Sequence, residues 1–306
     1  MRSPRAAFLG SMRNNRSSCG ALLAGFAHAP AHGSFLYCLA KESAMKIAMV
    51  GKGGSGKTTL AGTLARVLAR KHHRVLAIDG DPNPNLALTL GMARADADRI
   101  RSIPSSLVES VTTSPGQSTL RMTMDRSRVL GEYAAQAPDG VQLIVMGKPA
   151  DGSAGSGCMC SSHRAVRGLI AEMSDAGEHT ITDMEAGLEH LKRGTARNVE
   201  AMLIVAEPYY RSLEAASRTF SLANELKIPH VYAIANKVRS ADDREAISAY
   251  CAQHCMPILG EVPFDDEFAA AERAERAPAD YAASSPGMRA METIADRVIA
   301  LDAPAL

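Results

Sequence analysis

The stretch GKGGSGKT at 51–58 constrains this chain more than any other. It satisfies G-x-x-x-x-G-K-[ST] through Gly51, Gly56, Lys57 and Thr58, a pattern whose backbone N–H groups converge on phosphate oxygens. Glycine at such points permits positive φ and lets the backbone approach a ligand closely. The loop follows the apolar run KIAMV (46–50) and opens TTLAGTLARVLARK (58–71), where Leu60, Leu64, Val67 and Leu68 recur at helical spacing. In a strand–loop–helix unit the positive end of the helix dipole faces the bound phosphates. Lys57 is expected to reach the β- and γ-phosphates of a nucleotide, and the Thr58 hydroxyl to ligate Mg²⁺. The candidate nucleotide contacts are Gly51, Lys52, Gly53, Gly54, Ser55, Gly56, Lys57, Thr58 and Thr59.

Such a loop needs a sheet to carry it. Further buried-strand candidates are RVLAID (74–79), QLIVMG (142–147), HTITDM (179–184), AMLIVAE (201–207), VYAIANK (231–237) and MPILGEV (256–262). Helical patterns intervene at 163–174, 211–226, 241–254, 265–276 and 286–301. Runs that are apolar on both faces, alternating with helices, predict an α/β fold: a doubly wound, mostly parallel sheet with helices on both faces. Residues 93–140 are less regular and give no secure element.

Composition narrows the function classes. With 306 residues, 46% of them hydrophobic, the chain can bury a sizeable core. Basic and acidic residues number 34 and 33, so the basic excess of a nucleic-acid binder is missing. There is no run of 18 apolar residues, which argues against a membrane span. Six cysteines are too few for a disulfide scaffold, and with nucleotide chemistry they point to the reducing cytoplasm. Residues 1–44 differ: Arg2, Arg5, Arg13, Arg16 and Lys41 face one acid, Glu42, and His28 and Pro30 interrupt the apolar stretch ALLAGFAHAP. That is a poor signal peptide. We read 1–44 as a disordered or misannotated extension and 45–306 as one ATPase domain.

Several polar residues close the expected strands, at the rim where open α/β sheets bind ligands. Asp79 and Asp81 lie in DGDPNPN, Asp183 ends HTITDM, and Asn236-Lys237 ends VYAIANK. An acid at Asp183 can bind Mg²⁺ through water, as a Walker B aspartate does. Lys52, directly after the first glycine of the loop, adds a cation able to neutralise a transferring phosphoryl group. With this lysine the sequence resembles the MinD/ParA/nitrogenase iron-protein class of ATPases, whose deviant Walker A loop carries it. The resemblance implies an ATP-dependent homodimer with Lys52 acting across the interface. It also implies that Asp81 orients the attacking water, Asp79 sits near Mg²⁺, Glu185 and Gly187 begin a second switch, and Asn236 and Lys237 read and cover the purine.

One element is foreign to a generic member of that class. GSGCMC sets Cys158 and Cys160 two apart, so in extended chain both thiolates share a face. Such a pair is half of a tetrahedral site, and a symmetric dimer would supply the other half. The segments GKGGSGKTT, DGDPNPNLA, MGKPADGSAGSGCMC, DMEAGLEHLKRGT and EPYYRSLEAA together resemble the CooC family. These ATPases insert nickel into carbon monoxide dehydrogenase. The resemblance implies Ni²⁺ at Cys158 and Cys160, with Zn²⁺ possible there, and a nickel-enzyme client. Ser161 departs from the proline often found after the second cysteine. Cys251 and Cys255, with His254, read as packing residues, while His163 and His190 have no assigned role. Two other functions compete: a positioning or regulatory ATPase without a metal cargo, and an iron–sulfur reductase.

Overall fold

The computed structural model describes residues 44–114, 117–146, 160–173, 177–187, 196 and 198–301. Its framework is an eight-stranded sheet in the order β10-β9-β8-β1-β7-β2-β6-β5. The strands are β1 (Lys46–Gly51), β2 (Arg74–Gly80), β5 (Ala135–Gln136), β6 (Gln142–Val145), β7 (Glu178–Met184), β8 (Ala201–Ala206), β9 (His230–Val238) and β10 (Ile258–Pro263). Seven of them pair in parallel, and β5 closes one edge antiparallel to β6. From β1 the chain passes over β7 to β2, later returns to β7, and then crosses β1 to β8. The loop after β1 therefore opens where the winding reverses, which is where such sheets bind ligands.

Burial explains the apolar runs. Along β1, Ile47 and Met49 face a core built with Leu60, Leu64 and Leu68 of the helix α1 (Lys57–Arg70) and with Met288, Met291, Ile294 and Val298 of the Pro286–Leu301 helix. Ala48 and Val50 face the other core, with Leu169, Ile170, Leu213, Ala216 and Ile247. Both faces are dry, so alternation disappears and the strands read as continuous apolar segments.

The region without a secure sequence pattern holds small pieces. A short helix, Arg94–Ala97, leads to a separate antiparallel hairpin of β3 (Val108–Ser114) and β4 (Gln117–Met122), and the Arg126–Tyr133 helix then leads to β5. This hairpin lies on the Cys160–Glu172 helix: a methyl added at Gly168 would come within 2.8 Å of both Val108 methyls. Glu172 accepts the Met122 N–H at 2.9 Å, fastening the same pair. The helix begins three residues earlier than its pattern indicated. The extension expected over 1–44 lies outside the described residues, Ala44 excepted, and no described helix is long and apolar enough to cross a membrane.

Helix α1 is clamped at the end away from the phosphate loop. Arg66, only 2% exposed, donates to Asp139 at 2.5 Å, to the Leu90 carbonyl at 2.5 Å and to both oxygens of Asp280 at 2.7 and 3.0 Å. Arg70, one turn on, donates to the same two aspartates at 2.7 and 3.0 Å. A buried guanidinium with every partner in place is tolerated, but losing it strands the groups it served. Arg66→Ala should lower the unfolding free energy by about 3 kcal/mol in urea titration. Asp280→Asn keeps an acceptor and exposes less mismatch, so it should cost about 1 kcal/mol.

Candidate nucleotide site

The phosphate loop is shaped by close approaches that exclude side chains. A Cβ on Gly51 would lie 2.6 Å from the Ser55 hydroxyl and 2.9 Å from the Val205 carbonyl of β8. Gly56, at φ 94°, caps α1 in the left-handed region, and a Cβ there would strike the Asn236 amide at 2.6 Å. The Ser55 N–H donates to the Lys52 carbonyl at 3.0 Å, closing the loop on itself. Lys52 and Gly54 are exposed at the apex, Ser55 is buried, and Thr58 and Thr59 are half-buried on the first turn of α1. A methyl on Gly53 would touch Ala186 at 3.9 Å, so the start of the second-switch segment runs beside the loop.

The acids sit where the strand-end rule puts them. Asp79 and Asp183 are opposite each other in the parallel ladder of β2 and β7, and both are fully buried. Lys57 lies between Asp183 and the DGDPNPN segment, 3.8 Å from Asp183 and 3.3 Å from Asp81. Asp79 accepts the N–H of Leu86 at 2.8 Å and of Asp81 at 3.2 Å. Burial, with the neighbouring Asp183 carboxylate adding to it, still pushes its carboxyl up to about 7. Burial pushes Asp183 up to about 6, against the opposing pull of Lys57 and the Thr58 hydroxyl. Neither oxygen of Asp183 has a well-formed hydrogen bond to the protein, although Thr58 and Lys57 lie beside it. Two buried strand-end carboxylates beside Lys57 and the Thr58 hydroxyl, with both Asp183 oxygens open to a ligand, fit a divalent cation that takes its remaining ligands from phosphate and water. Asp183, Asp79 and Thr58 are the residues that would hold Mg²⁺.

Asn236 and Lys237 grip the loop from behind. The Asn236 amide donates to the Ser55 carbonyl at 2.7 Å, and the Lys237 ammonium donates to the Gly54 carbonyl at 2.6 Å. Both line a cleft of about 770 Å³ that runs from Lys57 and Thr58 towards Phe264 and Phe268. At its far end the Arg239 guanidinium stacks 3.4 Å from the centre of the Phe264 ring. Among the cleft residues to which the sequence reading gave no role are Arg239 and Glu207. Glu207 follows the last residue of β8, and Asn236 lies two residues before the end of β9, so the strand-end rule could have found Glu207 as well.

The cysteine pair is only partly in view. Cys158 lies outside the described residues, and Cys160 is the first residue of its helix, with its side chain outside the description. The same holds for His190 and for the His163 side chain. The backbone nevertheless places both ends of the segment. The Met146 N–H, just past β6, donates to the Asp79 carbonyl at 3.0 Å, and Val166 of the Cys160–Glu172 helix packs against Gly80. Cys251 is buried and its thiol is pushed up to about 11 by that burial, in keeping with a packing role.

Raised carboxyls favour the fold in their protonated form. Their contribution is fully present below the ordinary carboxylate range and is lost as pH rises through about 6 to 7. In the metal- and nucleotide-free protein, held in chelator, Asp183→Asn should therefore raise stability at pH 8 by roughly 1–3 kcal/mol. The gain should vanish by pH 4, as thermal melts across that range will report.

With this geometry, the chain's relatives can be placed. The CobQ/CobB/MinD/ParA nucleotide binding domain matches residues 46–278. The carbon monoxide dehydrogenase accessory protein CooC of Rhodospirillum rubrum is 38% identical over 75% of this chain and 88% of its own length. An uncharacterized ATP-binding protein of Methanocaldococcus jannaschii is 36% identical over 74% of this chain and 87% of its own length. The fold matches the MinD cell division protein of Aquifex aeolicus with a TM-score of 0.61 at 20% identity, covering 84% and 98% of the two chains. It matches MinD of Pyrococcus horikoshii, solved with Mg-ADP, with a TM-score of 0.62 at 19% identity, covering 86% and 100%. A P-loop backed by Asn236 and Lys237 and faced by paired strand-end acids thus sits in a chain that belongs to the CobQ/CobB/MinD/ParA family of nucleotide-binding ATPases, on its CooC-type branch.

Proposed function

We propose that this ATPase is a homodimeric metallochaperone that binds Ni²⁺ through Cys158 and Cys160 of both subunits and delivers it to carbon monoxide dehydrogenase or a related nickel enzyme. Zn²⁺ can occupy the same thiolates when nickel is scarce. One observation carries the reading. The cysteine segment leaves the sheet at Met146, hydrogen-bonded to Asp79, and re-enters it in a helix whose Val166 rests on Gly80. The two described ends of the segment that carries Cys158 and Cys160 thus lie against Asp79 and its neighbour Gly80. Likeness to the Rhodospirillum accessory protein points to carbon monoxide dehydrogenase as the client.

The chemistry follows from the cleft. The ATP phosphates lie on the loop backbone and on Lys57, and the purine lies further along the cleft, past Asn236 and Lys237 towards Arg239. Mg²⁺, which Thr58, Asp79 and Asp183 would hold, would supply charge neutralisation at the phosphates. Asp81 is fastened at one oxygen by the Asn83 N–H at 2.9 Å and at the other by Lys57, and is about one-quarter exposed. It orients a water for in-line attack on the γ-phosphorus. The bond to the ADP oxygen breaks, and the proton of the water leaves with the phosphate. Lys52, exposed at the loop apex, reaches across to the partner's nucleotide and couples closure of the dimer to ATP. A positioning ATPase anchored by an amphipathic helix fits less well. The Pro286–Leu301 helix has its apolar residues Met288, Met291, Ile294 and Val298 in the core.

Two measurements test this. Lys52→Ala should leave the protein monomeric by light scattering in Mg-ATP and reduce hydrolysis at least tenfold, on the scale of other trans-acting cations. Unchanged dimerisation and turnover would remove the cross-subunit role. Cys158→Ser/Cys160→Ser should abolish nickel binding in metal analysis of the ATP-bound protein while basal hydrolysis persists. Nickel bound by that variant as by the wild type, or a brown anaerobic preparation with visible absorption, would refute the nickel site.

A further inference from the structure

Glu207 is claimed by neither the loop pattern nor the switches, yet it forms part of the cleft wall. It stands directly after β8, beside β1 and its loop. Its side chain is 12% exposed and accepts from the Lys237 ammonium at 2.9 Å. That ammonium also donates to the Gly54 carbonyl at 2.6 Å. Lys237 holds φ 59°, a left-handed conformation that residues with a Cβ adopt at a cost and keep where surrounding contacts over-determine it.

The consequence follows from peptide planarity. A trans peptide points its C=O and N–H in opposite directions. Asn236 draws the Ser55 carbonyl back towards β9, so the N–H of the same peptide, that of Gly56, is turned forward to the phosphate side. Lys237 draws back the Gly54 carbonyl, whose peptide N–H, that of Ser55, is used inside the loop on Lys52. Together the two donors fix the turn that presents the forward N–H groups. An ammonium on a long flexible stem holds such a position only when a second acceptor fixes it, and Glu207 is that acceptor.

We propose that Glu207 is a positioning residue for nucleotide binding. It holds the Lys237 ammonium on the Gly54 carbonyl and so keeps the phosphate loop in its phosphate-accepting shape, without touching the nucleotide. The inference rests on the phosphate loop and is independent of the nickel reading.

Calorimetric titration of the full chain with Mg-ADP and with a non-hydrolysable Mg-ATP analogue tests it. Glu207→Ala should weaken both about tenfold, the size of one lost hydrogen bond to a charged group, with the nucleotide-free melting temperature little changed. Glu207→Gln, whose amide oxygen still accepts from the ammonium, should stay within about threefold of wild type. Lys237→Met should lose about as much as Glu207→Ala, and the double variant should lose no more than either. The factor should persist with 2′-deoxyATP, because the effect lies at the phosphates. Three results overturn the proposal: Glu207→Ala within about twofold of wild type, losses that multiply in the double variant, or a loss that disappears with 2′-deoxyATP. If Glu207→Ala does not fold, Glu207→Gln placed in the Lys237→Met background decides. No further loss upholds the brace, and an added loss overturns it.

Discussion

Two carboxylates, Asp79 and Asp183, face each other from neighbouring strands with no water around them. Much of the site is a response to that arrangement. Burial alone raises both groups, and Asp183 raises Asp79 further. Lys57 leans towards Asp183 and Asp81, and two backbone N–H groups satisfy Asp79. These contacts leave the oxygens of Asp183 under-served. A site held in this condition favours whatever brings positive charge, and it disfavours an empty, ionised resting state. Binding energy from a cation and its nucleotide is thus realised where the switches begin. The Asp81 N–H is itself bonded to Asp79.

How much of this could be read from the chain depends on how each element earns its burial. The central strands were legible because both faces are dry, and a two-faced core leaves an apolar run in the sequence. The hairpin was not: VESVTTS and QSTLRM are mostly polar, and what fixes them is the fit of Val108 against Gly168 of a helix far along the chain. Nor was β5, two residues long, which exists only through its ladder with β6. Within the site, identities were legible and orientations were not. The strand-end rule found Asp79, Asp183, Asn236 and Lys237. It gave no hint that the donors of Asn236 and Lys237 turn towards the loop carbonyls, because that depends on a left-handed residue and on Glu207 one strand over.

The Cys160–Glu172 helix links the strand end that carries Asp79 to the β3–β4 hairpin. Its inner side touches Gly80, between the aspartates, and its outer side carries the hairpin. A small residue at each contact, Gly80 and Gly168, lets the surfaces come close. Close contacts of this kind behave as either engaged or parted rather than as springs. While Val166 stays against Gly80, a shift of the DGDPNPN segment would carry the helix and its hairpin as one body.

Movement needs something that does not move. Arg66 and Arg70 lock the tail of α1 to Asp139 and Asp280, two points from distant parts of the chain. The head of α1 is the phosphate loop itself. The helix therefore serves as a stator: an event at the phosphates cannot be absorbed by α1 sliding or tilting, and the displacement is handed to the segments that follow β2 and β7. In an ATPase of this fold, a clamp so far from the loop keeps the whole length of α1 in one place on the sheet.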